Sequence, residues 1–280
     1  MRADLVDMIR PQEYSGKKHE KLGGPMRRKP ALLLGIPMLA AALLAAMPAH
    51  AASLARGTLP RAPGTPPGNK IWNGYVYLKS KHGKLTSKAN FVRAWWIVPP
   101  AACGSLSLAT DSMWVGLGGL GKSLLVQAGT ITECSLGGGY STNGTWEIVP
   151  PNGDSNAVLL SGSRYPVSTG DLIFAAVGDL GGGRYSMNIQ DESADWGWSK
   201  TVSLRWKAEP STADWIVESG SKYGLANFGS VAFTNCAYDR KLISLAKATK
   251  FEADTPPQTR VSAIHYAPNA SHFVVTWRRS

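Results

Sequence analysis

The sequence has 280 residues, 44 % of them hydrophobic, and a formal net charge of +11 at pH 7. This length allows one large domain or two small ones. The basic residues are scattered and no cysteines have zinc-binding spacing, which argues against a nucleic-acid-binding protein and against a zinc site.

The amino-terminal part of the chain has the pattern of an export signal. Residues 27–29 are basic, residues 31–47 form an apolar run of mainly leucine and alanine, and Ala49-His50-Ala51 matches a signal-peptidase site. The apolar run is short for a membrane span, which favours bacterial export over a stable membrane anchor. The alternative is a signal anchor that keeps the chain on the membrane. We expect a secreted, extracellular protein whose mature chain begins at Ala52.

The residues on either side of this signal are not expected to fold. Met26 directly precedes the basic residues and is the expected start, which makes residues 1–25 an upstream extension. Residues 52–69 are rich in proline, glycine and arginine, so we interpret them as a linker or short pro-segment. The folded domain is therefore expected over residues 70–280. Loss of residues 1–51 removes eight basic and four acidic residues and leaves a net charge of about +7.

Beyond residue 70 the chain consists of short apolar runs separated by turns that are rich in glycine and proline. This spacing is typical of an all-β sandwich or jelly roll with antiparallel strands. One helical turn is expected over residues 242–247. The predicted strands cover residues 74–78, 90–98, 112–116, 124–130, 140–149, 158–160, 171–177, 184–190, 198–206, 213–218, 229–235, 260–266 and 272–277.

Three polar side chains lie inside strongly apolar strands, namely Gln127, Glu147 and Glu218. Burial of an amide or a charge is costly without partners, so each could face a groove in which its chemistry is used. Each could equally lie on a solvated sheet face, and Gln127 could be hydrogen-bonded inside a core. The alternation of side chains along a strand places Glu218 on the same face as Asp214 and Ile216.

Ten tryptophans are many for a chain of this length, and most of them are expected to pack in the core. Trp95 and Trp96 are adjacent in one predicted strand, so they must face opposite sides of it. One of the two is therefore expected to be exposed or to line a cleft. Aromatic-lined concave sheets bind extended polymers such as peptides or sugars.

The chain has three cysteines, and in an exported protein an odd number suggests one disulfide and one free thiol. Cys103 and Cys134 flank the glycine-rich stretch around residues 116–121, and we predict that they are bonded. Cys236 follows an apolar run and is predicted to be a buried thiol.

An ordered series of motifs resembles the glutamic peptidases of family G1, the eqolisins, which are pepstatin-insensitive acid peptidases of fungi and bacteria. The series covers about residues 72–236, and its pieces follow the order of the family. The pieces are Trp72-Asn73-Gly74-Tyr75-Val76, Trp95-Trp96-Ile97-Val98-Pro99, Trp114-Val115-Gly116-Leu117-Gly118-Gly119, Val126-Gln127-Ala128-Gly129, Trp146-Glu147-Ile148-Val149-Pro150, Gly170-Asp171-Leu172-Ile173, Ala213-Asp214-Trp215-Ile216-Val217-Glu218 and Phe228-Gly229-Ser230-Val231-Ala232-Phe233-Thr234-Asn235.

The resemblance implies a sandwich of two curved antiparallel sheets, a concanavalin-like jelly roll. It implies an endopeptidase that acts on proteins or peptides, with Glu218 and Gln127 as the catalytic pair. Trp114 and Glu147 would then lie in the substrate cleft, to which we also assign Trp72 and Trp96. No metal or cofactor is implied, and we expect a monomer. A glutamate with an ordinary pKa of about 4.3 serves as base and then acid in an acidic medium, so we expect an acid peptidase.

The chain departs from the family pattern at Gly118, where fungal members carry an aspartate. It is also basic, whereas the fungal members are strongly acidic, and the region after Asp239 has no matching motif. Two alternatives are open at this point. One is a jelly-roll glycoside hydrolase that uses Glu147 and Glu218 as its carboxylate pair. The other is a non-catalytic sandwich that binds sugars or peptides.

Overall fold

The computed structural model describes residues 72–78, 80–81, 84–85, 89–120, 123–151, 157–205, 212–219, 223–253, 259–263 and 271–278. Two large antiparallel sheets dominate this part of the chain, so the predicted all-β sandwich is confirmed. The predicted export signal and the segment 52–69 lie outside the described residues.

The strands are numbered in chain order. They are β1 (Asn73–Leu78), β2 (Ser80–Lys81), β3 (Lys84–Leu85), β4 (Phe91–Ile97), β5 (Thr110–Gly118), β6 (Leu125–Cys134), β7 (Tyr140–Val149), β8 (Val158–Leu159), β9 (Pro166–Val167), β10 (Leu172–Gly181), β11 (Arg184–Asp191), β12 (Trp196–Ser203), β13 (Thr212–Glu218), β14 (Ser230–Tyr238), β15 (Lys241–Leu242), β16 (Thr249–Phe251), β17 (Thr259–Ala263) and β18 (Phe273–Trp277).

The first sheet has the strand order β16-β1-β13-β5-β6-β7-β8, with β9 also paired to β7. The second sheet has the order β12-β11-β10-β4-β14-β18-β17, with β15 also paired to β14, and β2 and β3 pair only with each other. In the first sheet β13 therefore lies between β1 and β5, although it follows them by about a hundred residues. This crossover brings the strand that ends in Glu218 next to the glycine-rich stretch.

The core between the two sheets follows from the alternation of side chains along the strands. On β5, Met113, Val115 and Leu117 are at most 1 % exposed and face the second sheet. Burial of one such side chain stabilises the fold by roughly 1.5–3 kcal/mol. The residues between them, Trp114 and Gly116, face the other side of the first sheet. Because one face of each strand is fixed in the core, the register of the polar residues on the outer face is fixed as well.

Several elements differ from their predicted bounds, among them β6 and the helical turn. The strand predicted over residues 124–130 continues to Cys134, because β6 and β7 pair without interruption from Leu125–Val149 to Cys134–Tyr140. The helical turn predicted over residues 242–247 is a single 3-10 turn, Leu245–Lys247. Alternating threonine and isoleucine after Gly129 favour the longer strand, and no local break signal in that region ends it.

The cysteines adopt the predicted arrangement. A disulfide joins Cys103 to Cys134 with a Cα–Cα distance of 5.6 Å, and Cys236 is a buried free thiol. The disulfide ties the loop before β5 to the end of β6, so it braces the two strands that carry the glycine-rich stretch. Within the described residues, no helix is long and apolar enough to cross a lipid bilayer.

Candidate active site

The outer face of the first sheet brings together the three polar residues that interrupt the apolar strands. Gln127 on β6 pairs directly with Glu147 on β7. Glu218 ends β13, two strands away, and its side chain reaches the same point. Gln127 is 1 % exposed, Glu218 is 8 % exposed and Glu147 is half-buried. The sequence predicted these three residues as site residues, and the structure places them in one cluster.

One amide group links the two carboxylates. Nε2 of Gln127 donates to Oε2 of Glu147 at 2.7 Å and to Oε1 of Glu218 at 3.3 Å. A side-chain amide has two N–H donors, so both hydrogens of Gln127 are directed at carboxylates. Ionised carboxylates only accept, which fixes the amide with its nitrogen toward the carboxylates. The bond to Glu147 is the shorter of the two and holds the amide in this orientation.

The pKa of Glu218 is raised from its ordinary value of 4.5 to about 7. Burial is the main cause, and the negative charge of Glu147 contributes to the same rise. Interactions with the side chains of Gln127, Trp72 and Trp114 act in the opposite direction. Burial is the larger effect because an ionised carboxylate loses its hydration inside the sheet face. Glu218 therefore takes up and releases a proton near neutrality, as a residue that acts as base and then as acid must do at its working pH.

Trp114 and Trp72 flank Glu218. Trp114 lies on β5, between β13 and β6, and is only 2 % exposed. Its buried indole N–H makes no hydrogen bond of standard geometry, but a weaker polar interaction of this side chain with Glu218 lowers the pKa of the carboxyl group. Trp72 is 9 % exposed and packs edge-on against Phe251, with ring centroids 6.1 Å apart. Both side chains therefore lie next to the carboxyl group of Glu218.

The assignment of Trp96 to the substrate cleft is wrong. Trp96 lies on β4 in the second sheet, is 1 % exposed, and packs against Phe233 in the core between the sheets. Its indole nitrogen donates to Oγ1 of Thr130, on the core side of β6. The alternation argument correctly separated the two neighbouring rings, but it could not say which of them faces inward. The partly exposed ring is Trp95, on the outer face of the second sheet.

An aspartate at position 118, as in the fungal pattern, would require a different backbone conformation in this chain. Its φ is +97°, which is a left-handed conformation that favours glycine, and a Cβ atom would collide with the carbonyl oxygen of Leu124. The backbone at this turn is therefore adapted to glycine.

Two residues of the outer face were not predicted as part of the site. Phe251 on β16 closes an apolar cluster with Trp72, Val76, Leu125 and Ile216 beside Glu218, although the region after Asp239 carries no recognised motif. Asp214 was noted only as sharing a face with Glu218, yet it is fully buried. The sequence offered one indication of this: Asp214 lies between apolar residues in the same strand as Glu218.

The cluster places a carboxyl group and a neutral amide donor 3.3 Å apart. In the described residues, no group of three or more histidine, cysteine, aspartate or glutamate side chains could hold a metal ion. The chemistry that the arrangement supports is proton transfer by Glu218 beside a neutral hydrogen-bond donor.

Comparisons with known proteins agree with this architecture. Residues 70–277 match the Peptidase A4 family. The fold is similar to scytalido-glutamic peptidase bound to a transition-state analogue inhibitor, with a TM-score of 0.58, 21 % identity, and coverage of 74 % of this chain and 98 % of that chain. It is also similar to SCP-B, an eqolisin in complex with the tripeptide Ala-Ile-His, with a TM-score of 0.52, 19 % identity, and the same two coverages. A third similar structure is aspergilloglutamic peptidase from Aspergillus niger, with a TM-score of 0.50, 24 % identity, and coverage of 60 % and 98 %. No curated protein sequence matches the chain.

Proposed function

Since the chain belongs to the Peptidase A4 family of glutamic peptidases, we propose that it is a secreted endopeptidase in which Glu218 and Gln127 form the catalytic dyad. The observation that carries this proposal is the amide of Gln127 held between the carboxylates of Glu147 and Glu218 on one buried sheet face. Family membership favours this interpretation over a glycoside hydrolase or a binding module. The proposed substrates are proteins or peptides.

In the proposed reaction, ionised Glu218 accepts a proton from a water molecule whose oxygen attacks the carbonyl carbon of the scissile bond. The carbonyl oxygen becomes an oxyanion and accepts a hydrogen bond from Nε2 of Gln127. Protonated Glu218 then gives its proton to the amine nitrogen as the carbon–nitrogen bond breaks. One side chain thus serves as base and acid in succession.

The two hydrogen bonds of Gln127 suggest how its donor becomes available. The bond to Glu218, at 3.3 Å, is longer than the usual length of about 2.9–3.0 Å and is the weaker of the two. Replacing the bond to Glu218 by a bond to a water or an oxyanion therefore costs less free energy than replacing the bond to Glu147, which is 2.7 Å long. In this proposal Glu147 is a positioning residue that keeps the amide nitrogen turned toward the reacting atoms.

The pKa of Glu218 changes the expected working range. An ordinary glutamate is ionised in acid, but burial raises the pKa of Glu218 to about 7, so below that pH the free enzyme holds this base in its protonated form. Activity that requires the carboxylate rises as the pH approaches neutrality. We therefore place the working range at weakly acidic to neutral pH rather than at strongly acidic pH.

The proposal is tested by incubating purified residues 52–280 with a denatured protein and identifying the products by mass spectrometry across this pH range. Glu218→Gln should reduce cleavage to background while the protein stays folded. Gln127→Ala should lower turnover at least ~100-fold, which is the usual effect of losing one oxyanion donor. Glu147→Gln should have a smaller effect than either. Glu192→Gln, at an exposed site in the turn between β11 and β12, is the matched control and should leave turnover unchanged.

The outcomes separate the alternatives. If Glu147 and Glu218 were equally essential and Gln127 dispensable, a glycoside hydrolase would explain the site better. Absence of cleavage at every pH would favour a binding module. Pepstatin should not inhibit, because the proposed dyad lacks the paired aspartates at which pepstatin acts. Full peptidase activity in Gln127→Ala would show that the dyad is assigned wrongly.

A further inference from the structure

Asp214 is a buried carboxyl group for which the proposed reaction has no use. It lies on β13, on the same outer face as Glu218 and four residues before it. Its neighbour on β1 is Val76 and its neighbour on β5 is Gly116, which in turn pairs with Gln127 on β6. The carboxyl group of Asp214 and the amide of Gln127 therefore lie on either side of Gly116 in one row across the sheet.

The missing side chain of Gly116 provides the space for this carboxyl group. A Cβ atom at Gly116 would lie 2.5 Å from Oδ1 and 3.1 Å from Cγ of Asp214, and real Cβ atoms do not approach other heavy atoms at the shorter distance. The carboxyl group of Asp214 therefore occupies the space that a side chain at position 116 would need. A larger residue at position 116 would push the carboxyl group out of the row that contains Gln127.

Neither oxygen of Asp214 has a hydrogen-bond partner in the structure, and the residue is 0 % exposed. The groups that face it are Val76 from β1, Gly116 from β5 and Gln127 from β6. The titratable groups that the neighbouring strands place on this face are Glu218 on its own strand, Glu147 beyond Gln127 and Glu133 further along β6, and all three are acidic. No cation lies among these described neighbours, so nothing compensates an ionised Asp214, and the neutral acid is the favoured form.

We propose that Asp214 is a positioning residue of the peptidase site and that it must keep its proton for the site to work. This inference rests on the proposed function of Glu218 and Gln127. Burial, followed by the charge of Glu218, raises the pKa of Asp214 well above its ordinary range. Loss of its proton would place a buried negative charge in the row of Gln127, where the oxyanion forms. That charge would oppose the oxyanion and attract the amide hydrogens away from it.

The proposal therefore predicts two separate limits to activity. Ionisation of Glu218 sets the rising limb of kcat/KM, and ionisation of Asp214 sets a decline at higher pH. Asp214→Asn keeps the shape of the side chain and cannot ionise. The variant should keep kcat/KM near the optimum within about 5-fold, keep the rising limb in place, and move the declining limb upward by at least about one pH unit. A declining limb at the same pH as in the wild type would overturn the proposal.

Asp111 provides a matched control. It is also 0 % exposed, and neither of its oxygens makes a hydrogen bond of standard geometry. Burial raises its pKa to about 7, against a weaker opposing interaction with the side chain of Thr132. Asp111 lies on β5 on the same face as Met113, so it points toward the core and away from Gln127. Asp111→Asn should leave the position of the declining limb unchanged. A shift of the limb in Asp111→Asn equal to that in Asp214→Asn would show a general effect of buried charge and overturn the specific role.

A second measurement does not depend on activity. The pKa of Asp214 is raised in the folded state, so its stabilising contribution is present below the unfolded pKa of about 3.9 and is lost as the pH rises through the folded value. Urea unfolding should therefore show Asp214→Asn gaining stability over the wild type as the pH increases. If the wild type cleaves no peptide, the proposed function is wrong. The unfolding curves would still test whether Asp214 is protonated in the folded state.

If Asp214→Asn does not fold, the proton can be observed in a chain that carries Asp111→Asn and Asp191→Asn. Carbon-13 NMR of its labelled aspartate carboxyl groups should show one group that stays protonated well above the ordinary aspartate pKa of about 3.9. Spectra in which every remaining aspartate titrates in its ordinary range would overturn the proposal.

Discussion

Replacement of Glu218 by glutamine should stabilise the protein at neutral pH and leave its stability unchanged in acid. The folded protein holds this carboxyl group with a pKa of about 7, against an ordinary value of 4.5. At about 1.4 kcal/mol for each pKa unit, this difference corresponds to about 3 kcal/mol. Burial is the main cause, and a glutamine of nearly the same shape avoids the cost of a buried charge.

The direction with pH follows from proton binding. Between about 4.5 and about 7 the unfolded wild type releases the proton while the folded state retains it, so wild-type stability falls as the pH rises through this range. Glu218→Gln has no such proton to lose. Its advantage should be absent at about pH 4, grow through the weakly acidic range and level off at about 3 kcal/mol above about pH 7.

The assay is urea unfolding followed by tryptophan fluorescence at several pH values, with Glu192→Gln as the control at an exposed position. The difference between Glu218→Gln and the wild type must depend on pH, while that of the control must not. If Glu218→Gln and the wild type differed in stability by the same amount in acid and at neutral pH, the reasoning would be refuted. That result would show that ionisation of Glu218 does not destabilise the folded state.

Three further predictions follow from the fold. Alkylation under denaturing, non-reducing conditions should modify Cys236 alone, and loss of the Cys103–Cys134 disulfide, which spans 31 residues, should destabilise the protein by ~3–4 kcal/mol in urea unfolding. Trp96→Ala should lower the free energy of unfolding by ~3–5 kcal/mol, as truncation of a core aromatic does, whereas a Trp95→Ala change at the partly exposed neighbour should lower it far less; equal effects would contradict the placement of Trp96. Amino-terminal sequencing of exported protein should begin at or near Ala52, or near Asn69 if a pro-segment is removed, and a product that retains residues 26–47 would contradict export by cleavage.

The sequence predicted the fold class from local patterns, and the same patterns drew attention to the three polar residues, whereas their role in a site was implied by the resemblance to the glutamic peptidases. Short apolar runs between turns indicate antiparallel strands, and Gln127, Glu147 and Glu218 are conspicuous inside such runs. Alternation also placed Glu218 correctly on the face shared with Asp214 and Ile216. These inferences need only the period of a strand, which the sequence displays directly.

Three features of the site could not be predicted from the sequence, because they depend on which strands become neighbours. The wrong assignment of Trp96 arose because alternation separates two faces without identifying the buried one. Phe251 reaches the site because β16 pairs with β1, and these strands are far apart in sequence. The raised pKa of Glu218 likewise results from burial by several strands, which no local pattern encodes.

The row Val76–Asp214–Gly116–Gln127–Glu147 explains why this face of the sheet can be reactive. Directly opposed residues in neighbouring strands are close enough to interact, and acidic groups in such positions repel each other. Here Gln127 separates the acidic groups and donates to two of them, while Gly116 leaves room for the third. Among the carboxyl groups that meet at Gln127, burial raises the pKa of Glu218 to about 7. Under the proposed mechanism this is the residue that serves as base and then as acid.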